Sequence, residues 1–108
     1  MDRQKVEAEI QKIVRQLVKK YQPQKIILFG SAAWGKMTPG SDLDLVVVKE
    51  GLDKISLHQR AYEISGLFDS DWPVDLLVYT PYEIKKELYL GDPFVRQIVE
   101  RGRVLYGA

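Results

Sequence analysis

Between positions 2 and 21 the apolar residues fall at Val6, Ile10, Ile13, Val14, Leu17, Val18 and Tyr21. Spacings of three and four bring these side chains to one face of a helix, so the pattern predicts an amphipathic helix that ends before Pro23. The period then changes. KIILFG, residues 25–30, is a short apolar run rich in β-branching and stopped by Gly30, which predicts a buried strand. DLDLVVVK over 42–49 and PVDLLVYT over 73–80 read the same way, with Pro73 at a strand's first position, where a missing N–H is tolerated. The stretch between them, 54–68, sets Ile55, Ala61, Tyr62, Ile64, Leu67 and Phe68 on a broad helical stripe with Gly66 near its end, and predicts a helix crossing from one strand to the next.

Punctuation residues complete the map. SAAWGK after Gly30 has the composition for one or two helical turns, and the Pro-Gly pair in MTPGS marks a turn. Thr80-Pro81-Tyr82-Glu83 combines a cap residue, a proline at the first helical position and an acid three residues after the cap, so a helix starts there. Asp92-Pro93 repeats the start signal for a helix through Glu100, halted at Gly102, and RVLY is a candidate closing strand. The expected fold class is α/β or α+β: a small mixed sheet of three to four strands flanked by helices. A length of 108 residues suits a single domain over 1–108, with no room for a second.

Composition narrows the chemistry by exclusion. Sixteen Lys and Arg against fifteen Asp and Glu give a net charge of +1, which provides no field to recruit nucleic acid or an anionic membrane. With no cysteine, neither a thiolate nucleophile nor a thiolate metal site is available, and the expected compartment is the cytoplasm. The amino-terminal segment reads as a mature helix, and no apolar run approaches the ~18 residues of a membrane span. One histidine, His58, makes no ligand cluster.

What remains is an unusual placement of acids. Side chains alternate along a strand, so Asp42 and Asp44 share a face while Leu43 and Leu45 take the other. Asp75 stands alone between Val74 and Leu76 in the third strand, and adjacent strands would gather three carboxylates on one face of the sheet. Like charges at that range raise one another's pKa and resist ionisation together. Hard divalent cations resolve the conflict, and two Mg²⁺ ions on three aspartates can clamp the attacking and leaving oxygens of a displacement at phosphorus. Gly30 permits close approach of a phosphate to the backbone, and Ser31 adds a hydroxyl donor. Phosphoryl or nucleotidyl transfer is the chemistry these residues suit, with Asp75 the candidate to deprotonate an acceptor hydroxyl.

Gly30-Ser31, ten residues, Asp42-Leu43-Asp44 and a later Asp75 resemble the motif of the nucleotidyltransferases of the DNA polymerase beta superfamily. The small size is similar to the minimal nucleotidyltransferases found as antitoxins of HEPN-domain toxins. The resemblance implies a polymerase beta-like palm fold, two Mg²⁺ ions and ATP as donor. It also implies transfer of AMP to a tyrosine hydroxyl of a HEPN partner, with neither membrane nor direct nucleic-acid binding. Carried over, Asp42, Asp44 and Asp75 hold the metals and carry the reaction, while Gly30, Ser31, Lys36 and Ser41 serve the nucleotide. Many relatives carry arginines in the loop where this chain has Ala32 and Trp34; Lys36 is the substitute it offers.

Plainer readings stand beside these. Asp-x-Asp at a strand mouth is, in isolation, a solvated pair, and Asp75 could be a buried acid paired with a lysine. Trp34 either packs beneath its loop or stacks on a base or partner. The tyrosines at 79, 82, 89 and 106 read as rim and core packing, and Lys85-Lys86 as a solvated helix face. The competing function is a non-catalytic antitoxin that neutralises its partner by binding alone.

Overall fold

A computed structural model describes residues 2–35, 37–38 and 40–107. Helix α1, Arg3–Lys20, begins where the Asp2 carboxylate accepts hydrogen bonds from the Gln4 and Lys5 amides, and its Val6, Ile10, Ile13, Val14 and Leu17 are buried. Strand β1, Lys25–Phe29, runs into a single 3₁₀ turn, Gly30–Ala32, and strand β2 follows at Leu43–Val48. Helix α2, Leu57–Ser65, leads to β3, Val74–Tyr79; helices α3, Pro81–Tyr89, and α4, Pro93–Arg101, precede β4, Arg103–Tyr106.

Helix α2 is shorter than the apolar stripe over 54–68 predicts. The Ser56 hydroxyl accepts from the Gln59 amide and starts the helix late, while Gly66 ends it early, so Ile55, Leu67 and Phe68 reach the core from flanking turns. The capping box at Thr80 and Glu83 forms as its sequence predicts, each side chain taking the other's amide.

The sheet has the order β3-β2-β1-β4, with β2 and β3 parallel and the other pairs antiparallel. α2 supplies the crossover that a parallel pair requires. On one face Ile10, Ile13 and Leu17 of α1 and Ile64 of α2 pack against Ile26, Leu28, Leu43, Leu45, Val47 and Val78. On the other face Ile98 of α4 packs against Ile27, Val46 and Val48, with Ile84 of α3 alongside. The sheet is therefore covered on both faces. That explains the unbroken LVVV of β2, since a central strand buried on two sides has no polar face to present. Each of these Leu and Val side chains contributes about 1.5–3 kcal/mol on full burial. Asp44 is the one residue of β2 that is not buried, and it lies at the strand's mouth. Among the described residues no helix is long and apolar enough to cross a membrane.

Candidate active site

The site begins with register. Asp44 of β2 stands directly beside Asp75 of β3 in the parallel pair and opposite Phe29 in the antiparallel pair with β1. Strand neighbours in register share a face, so the face that bears Val46, Val48, Leu77 and Tyr79 deeper in the sheet ends in Asp44 and Asp75. Asp42, which the sequence reading places inside the strand, lies one residue before β2 begins, because Leu43 is the first residue to enter the ladder. Asp75 is exposed and Asp42 and Asp44 are partly exposed. The alternative of Asp75 as a buried acid paired with a lysine is thereby set aside: none of the ion pairs among the described residues involves any of the three aspartates.

Partial burial raises the Asp44 carboxyl above its ordinary range, and the charges of Asp75 and then Asp42 push it further. Two neighbouring acids thus oppose ionisation of the third. Among the described residues no group of three acids or imidazoles forms a ready-made metal cage; the arrangement is an Asp44–Asp75 pair with Asp42 acting on it through charge. An all-oxygen, solvent-accessible set whose members resist sharing negative charge fits a hard divalent cation, which Asp42, Asp44 and Asp75 would hold and which would neutralise phosphate charge.

Gly30 closes the site from the β1 side. Its φ is +73°, in the left-handed region, and a Cβ placed on it would overlap Asp44 Oδ2. Both conditions select glycine: the backbone must reverse there, and the carboxylate occupies the space of a side chain. Gly30→Ala is expected to destabilise the fold by about 1–3 kcal/mol through the strained φ and to displace Asp44. Urea denaturation reads the first effect; unchanged stability would show that the turn absorbs the methyl group.

The short helix predicted after Gly30 is a single turn. The Ala33 and Trp34 amides both donate to the Gly30 carbonyl, and Ser31 is half-buried within the turn. Ser41 lies in a second tight turn, where its hydroxyl accepts from the Thr38 amide at 3.0 Å and its own amide donates to the Thr38 carbonyl at 2.9 Å. Lys36 falls outside the described residues. Trp34 does not pack beneath its loop: its Nε1 donates to the Arg101 carbonyl at 3.2 Å, and the Arg101 guanidinium lies 4.7 Å from its ring centroid.

Two features have little trace in the sequence. Phe94 at the start of α4 meets Phe29 edge to face, ring centroids 5.7 Å apart, and forms a wall beside Asp44. Arg60 of α2 is buried and places its guanidinium on the carbonyls of Leu52, Ile55 and Val78 and on the Glu83 carboxylate, tying β3 to the start of α3. The available signal was position: Arg60 precedes Ile64 by four residues and so belongs to the apolar stripe of α2. Lys85-Lys86 are exposed, as expected, His58, Tyr82, Tyr89 and Tyr106 are also exposed, and Tyr79 is half-buried.

A family model described as "Nucleotidyltransferase domain" matches residues 8–106. No curated protein sequence matches the chain. Among solved structures, a protein from Sulfolobus solfataricus described as a nucleotidyltransferase is similar at 20% identity and a TM-score of 0.63, over 94% of this chain and 86% of that one. At that identity the likeness concerns the fold. A toxin–antitoxin protein solved with AMP-PNP is 29% identical over 91% of this chain and 73% of its own, with a TM-score of 0.59. A mutant of the toxin–antitoxin MntA-HpeT is 29% identical over 92% and 72%, with a TM-score of 0.54. The four-stranded sheet with helices on both faces, the glycine turn against paired aspartates and a family match over nearly the whole length agree, and the chain belongs to the nucleotidyltransferase domain family.

Proposed function

We propose that this chain is an antitoxin that transfers AMP from ATP to a tyrosine hydroxyl of a HEPN-domain toxin, using Mg²⁺ held by Asp42, Asp44 and Asp75. The observation that carries the reading is the register that puts Asp44 beside Asp75 with Gly30 packed against them. Likeness to toxin–antitoxin proteins, one of them solved with AMP-PNP, supports the partner class and the adenine nucleotide.

In the reaction the acceptor oxygen forms a bond to the α-phosphorus, the bond from that phosphorus to the bridging oxygen breaks, and pyrophosphate leaves. Cations held by Asp42, Asp44 and Asp75 would supply neutralisation of the phosphate charge. Asp75 takes the acceptor's proton, a role that its being the most open of the three carboxylates supports. The Gly30–Ala32 turn receives the phosphates, with the Ser31 hydroxyl as donor. Phe29 and Phe94 present an apolar wall on the same side, which limits water near the reacting phosphorus.

Intact mass measurement of the protein encoded beside this chain, after incubation with this chain, ATP and Mg²⁺, tests the reading. A gain of one or more AMP units is expected, absent with Asp42→Asn/Asp44→Asn. A second reading, neutralisation by binding alone, draws support from Ala32 and Trp34 where cationic side chains would steady a triphosphate. It predicts a stable complex with no mass gain and neutralisation unaffected by the double substitution.

A further inference from the structure

The turn that faces the carboxylates carries no positive charge of its own. From Gly30 to Gly35 it reads Gly-Ser-Ala-Ala-Trp-Gly. Three aspartates offset most of the charge that two divalent cations bring, so little remains to meet the far phosphates of a nucleoside triphosphate. Polyphosphate recognition under those conditions calls for a guanidinium or ammonium nearby, and guanidinium is favoured for its forked donors.

The fold brings one there from a distant part of the chain. α4 lies on the same face of the sheet as Asp44 and Asp75, and its last residue, Arg101, comes to the Gly30 turn from 67 positions beyond Trp34. Trp34 holds it twice. Its indole Nε1 donates to the Arg101 carbonyl at 3.2 Å, and its ring lies under the guanidinium at 4.7 Å. A cation over an indole face is held at a defined place by the ring's electrostatic attraction. Among the described residues no carboxylate pairs with Arg101, and the residue is exposed. By contrast, Arg103 is engaged with Glu7 and Arg96 with Glu100.

Resting on the nucleotidyl-transfer reading above, we propose that Arg101, seated on Trp34, is a cationic group that binds the β- and γ-phosphates of the donor nucleotide, in addition to the Lys36 that the loop sequence offers. Trp34 then acts as a positioning residue. The substitution of tryptophan into a loop without arginines is the device by which a cation from α4 is delivered to it.

The test compares affinities for AMP-PNP and AMP in the presence of Mg²⁺, by calorimetry, for the wild-type chain, Arg101→Gln, Arg101→Lys and Trp34→Phe. Loss of one charge-assisted contact is expected to weaken AMP-PNP binding about 10- to 100-fold in Arg101→Gln. AMP affinity stays within about twofold, because AMP lacks the two phosphates concerned. Arg101→Lys recovers part of the loss, and Trp34→Phe, which keeps a ring but no indole N–H, falls between. Melting temperatures of all variants control for folding. Equal AMP-PNP affinity in wild type and Arg101→Gln overturns the proposal while leaving nucleotidyl transfer intact. Parallel loss of AMP and AMP-PNP binding also overturns it, since it assigns Arg101 to the base or to the fold. Failure of the wild-type chain to bind AMP-PNP at all removes the transfer reading and this proposal together.

Discussion

Asp44→Asn is expected to reduce nucleotidyl transfer on the order of 10³-fold or more while raising the melting temperature of the metal-free chain. The two effects share one cause. Asp44 lies at the mouth of a strand otherwise buried on both faces, beside Asp75 and near Asp42, and both burial and these charges raise its carboxyl above the ordinary range. In the folded state the group holds its proton more firmly than in the unfolded chain, so its ionisation works against folding. That penalty is absent in acid, develops as pH rises through the ordinary aspartate value of 3.8 toward the raised folded value, and persists at neutrality. An amide of the same shape removes it.

The gain in melting temperature should therefore appear at pH 7 and fade as the pH is brought below that range. Mg²⁺ should stabilise the wild-type chain more than the variant, since ligand bound only by the native state adds to its stability. Under the proposed function catalysis changes in the opposite direction, because the cation that Asp44 would help hold is worth several kcal/mol to the transition state, and each 1.36 kcal/mol corresponds to about tenfold in rate. A variant that loses activity and melts lower at neutral pH would show that Asp44 serves the fold instead. A variant that keeps wild-type transfer would remove Asp44 from the reaction.

Arg60→Met is expected to lower stability by about 2–3 kcal/mol, a fall of roughly 10–20 °C in melting temperature for a domain of this size. Arg60 makes five hydrogen bonds: Nε to the Ile55 carbonyl at 2.8 Å, Nη1 to Val78 at 3.0 Å, Nη2 to Leu52 at 2.6 Å, and Nη1 and Nη2 to Glu83 at 2.6 and 3.0 Å. Among the described residues no buried side-chain polar atom lacks a partner, and methionine would take a donor from three carbonyls and from the Glu83 carboxylate, which keeps the Thr80 amide. The Glu83 side chain is 30% exposed, so water recovers part of the loss and the estimate sits below the range for fully buried pairs.

The same contact has an acid signature. The hydrogen bond from Arg60, assisted by the Thr80 amide, holds Glu83 below its ordinary value of 4.5 against the opposing effect of burial. A depressed folded value contributes stability above pH 4.5 that is lost as the pH falls through the lowered value. Denaturant melts of the wild-type chain from neutral pH into acid should show this fall, and Arg60→Met should flatten it. An equally steep acid limb in Arg60→Met would place the titration elsewhere.

The pattern along the chain determined most of the architecture. The apolar run of β1 and the LVVV of β2 are strands because burial on two faces requires continuous apolarity, while the run at 73–80, interrupted by Asp75, forms the partly exposed edge strand β3. Thr80, Pro81, Glu83 and Asp92 start helices where their local hydrogen bonds dictate. Alternation along a strand also predicts Asp42 and Asp44 on one side, whereas in the fold Asp42 falls one residue before β2 begins. These signals act over two to four residues, so they survive in one dimension.

What the tertiary structure decided spans longer intervals. Whether Asp75 reaches Asp44 depended on β2 and β3 being neighbours in one particular register, and a one-residue slip would have turned Asp75 to the opposite face. The end points of α2 depended on Ser56 and Gly66 competing with an apolar stripe that continued past them. Arg60, Phe94 and Arg101 gain their roles from partners at Glu83, Phe29 and Trp34, each distant in sequence. Side-chain contacts of that kind are selected by packing of the whole chain, and residue order carries no period or spacing that records them.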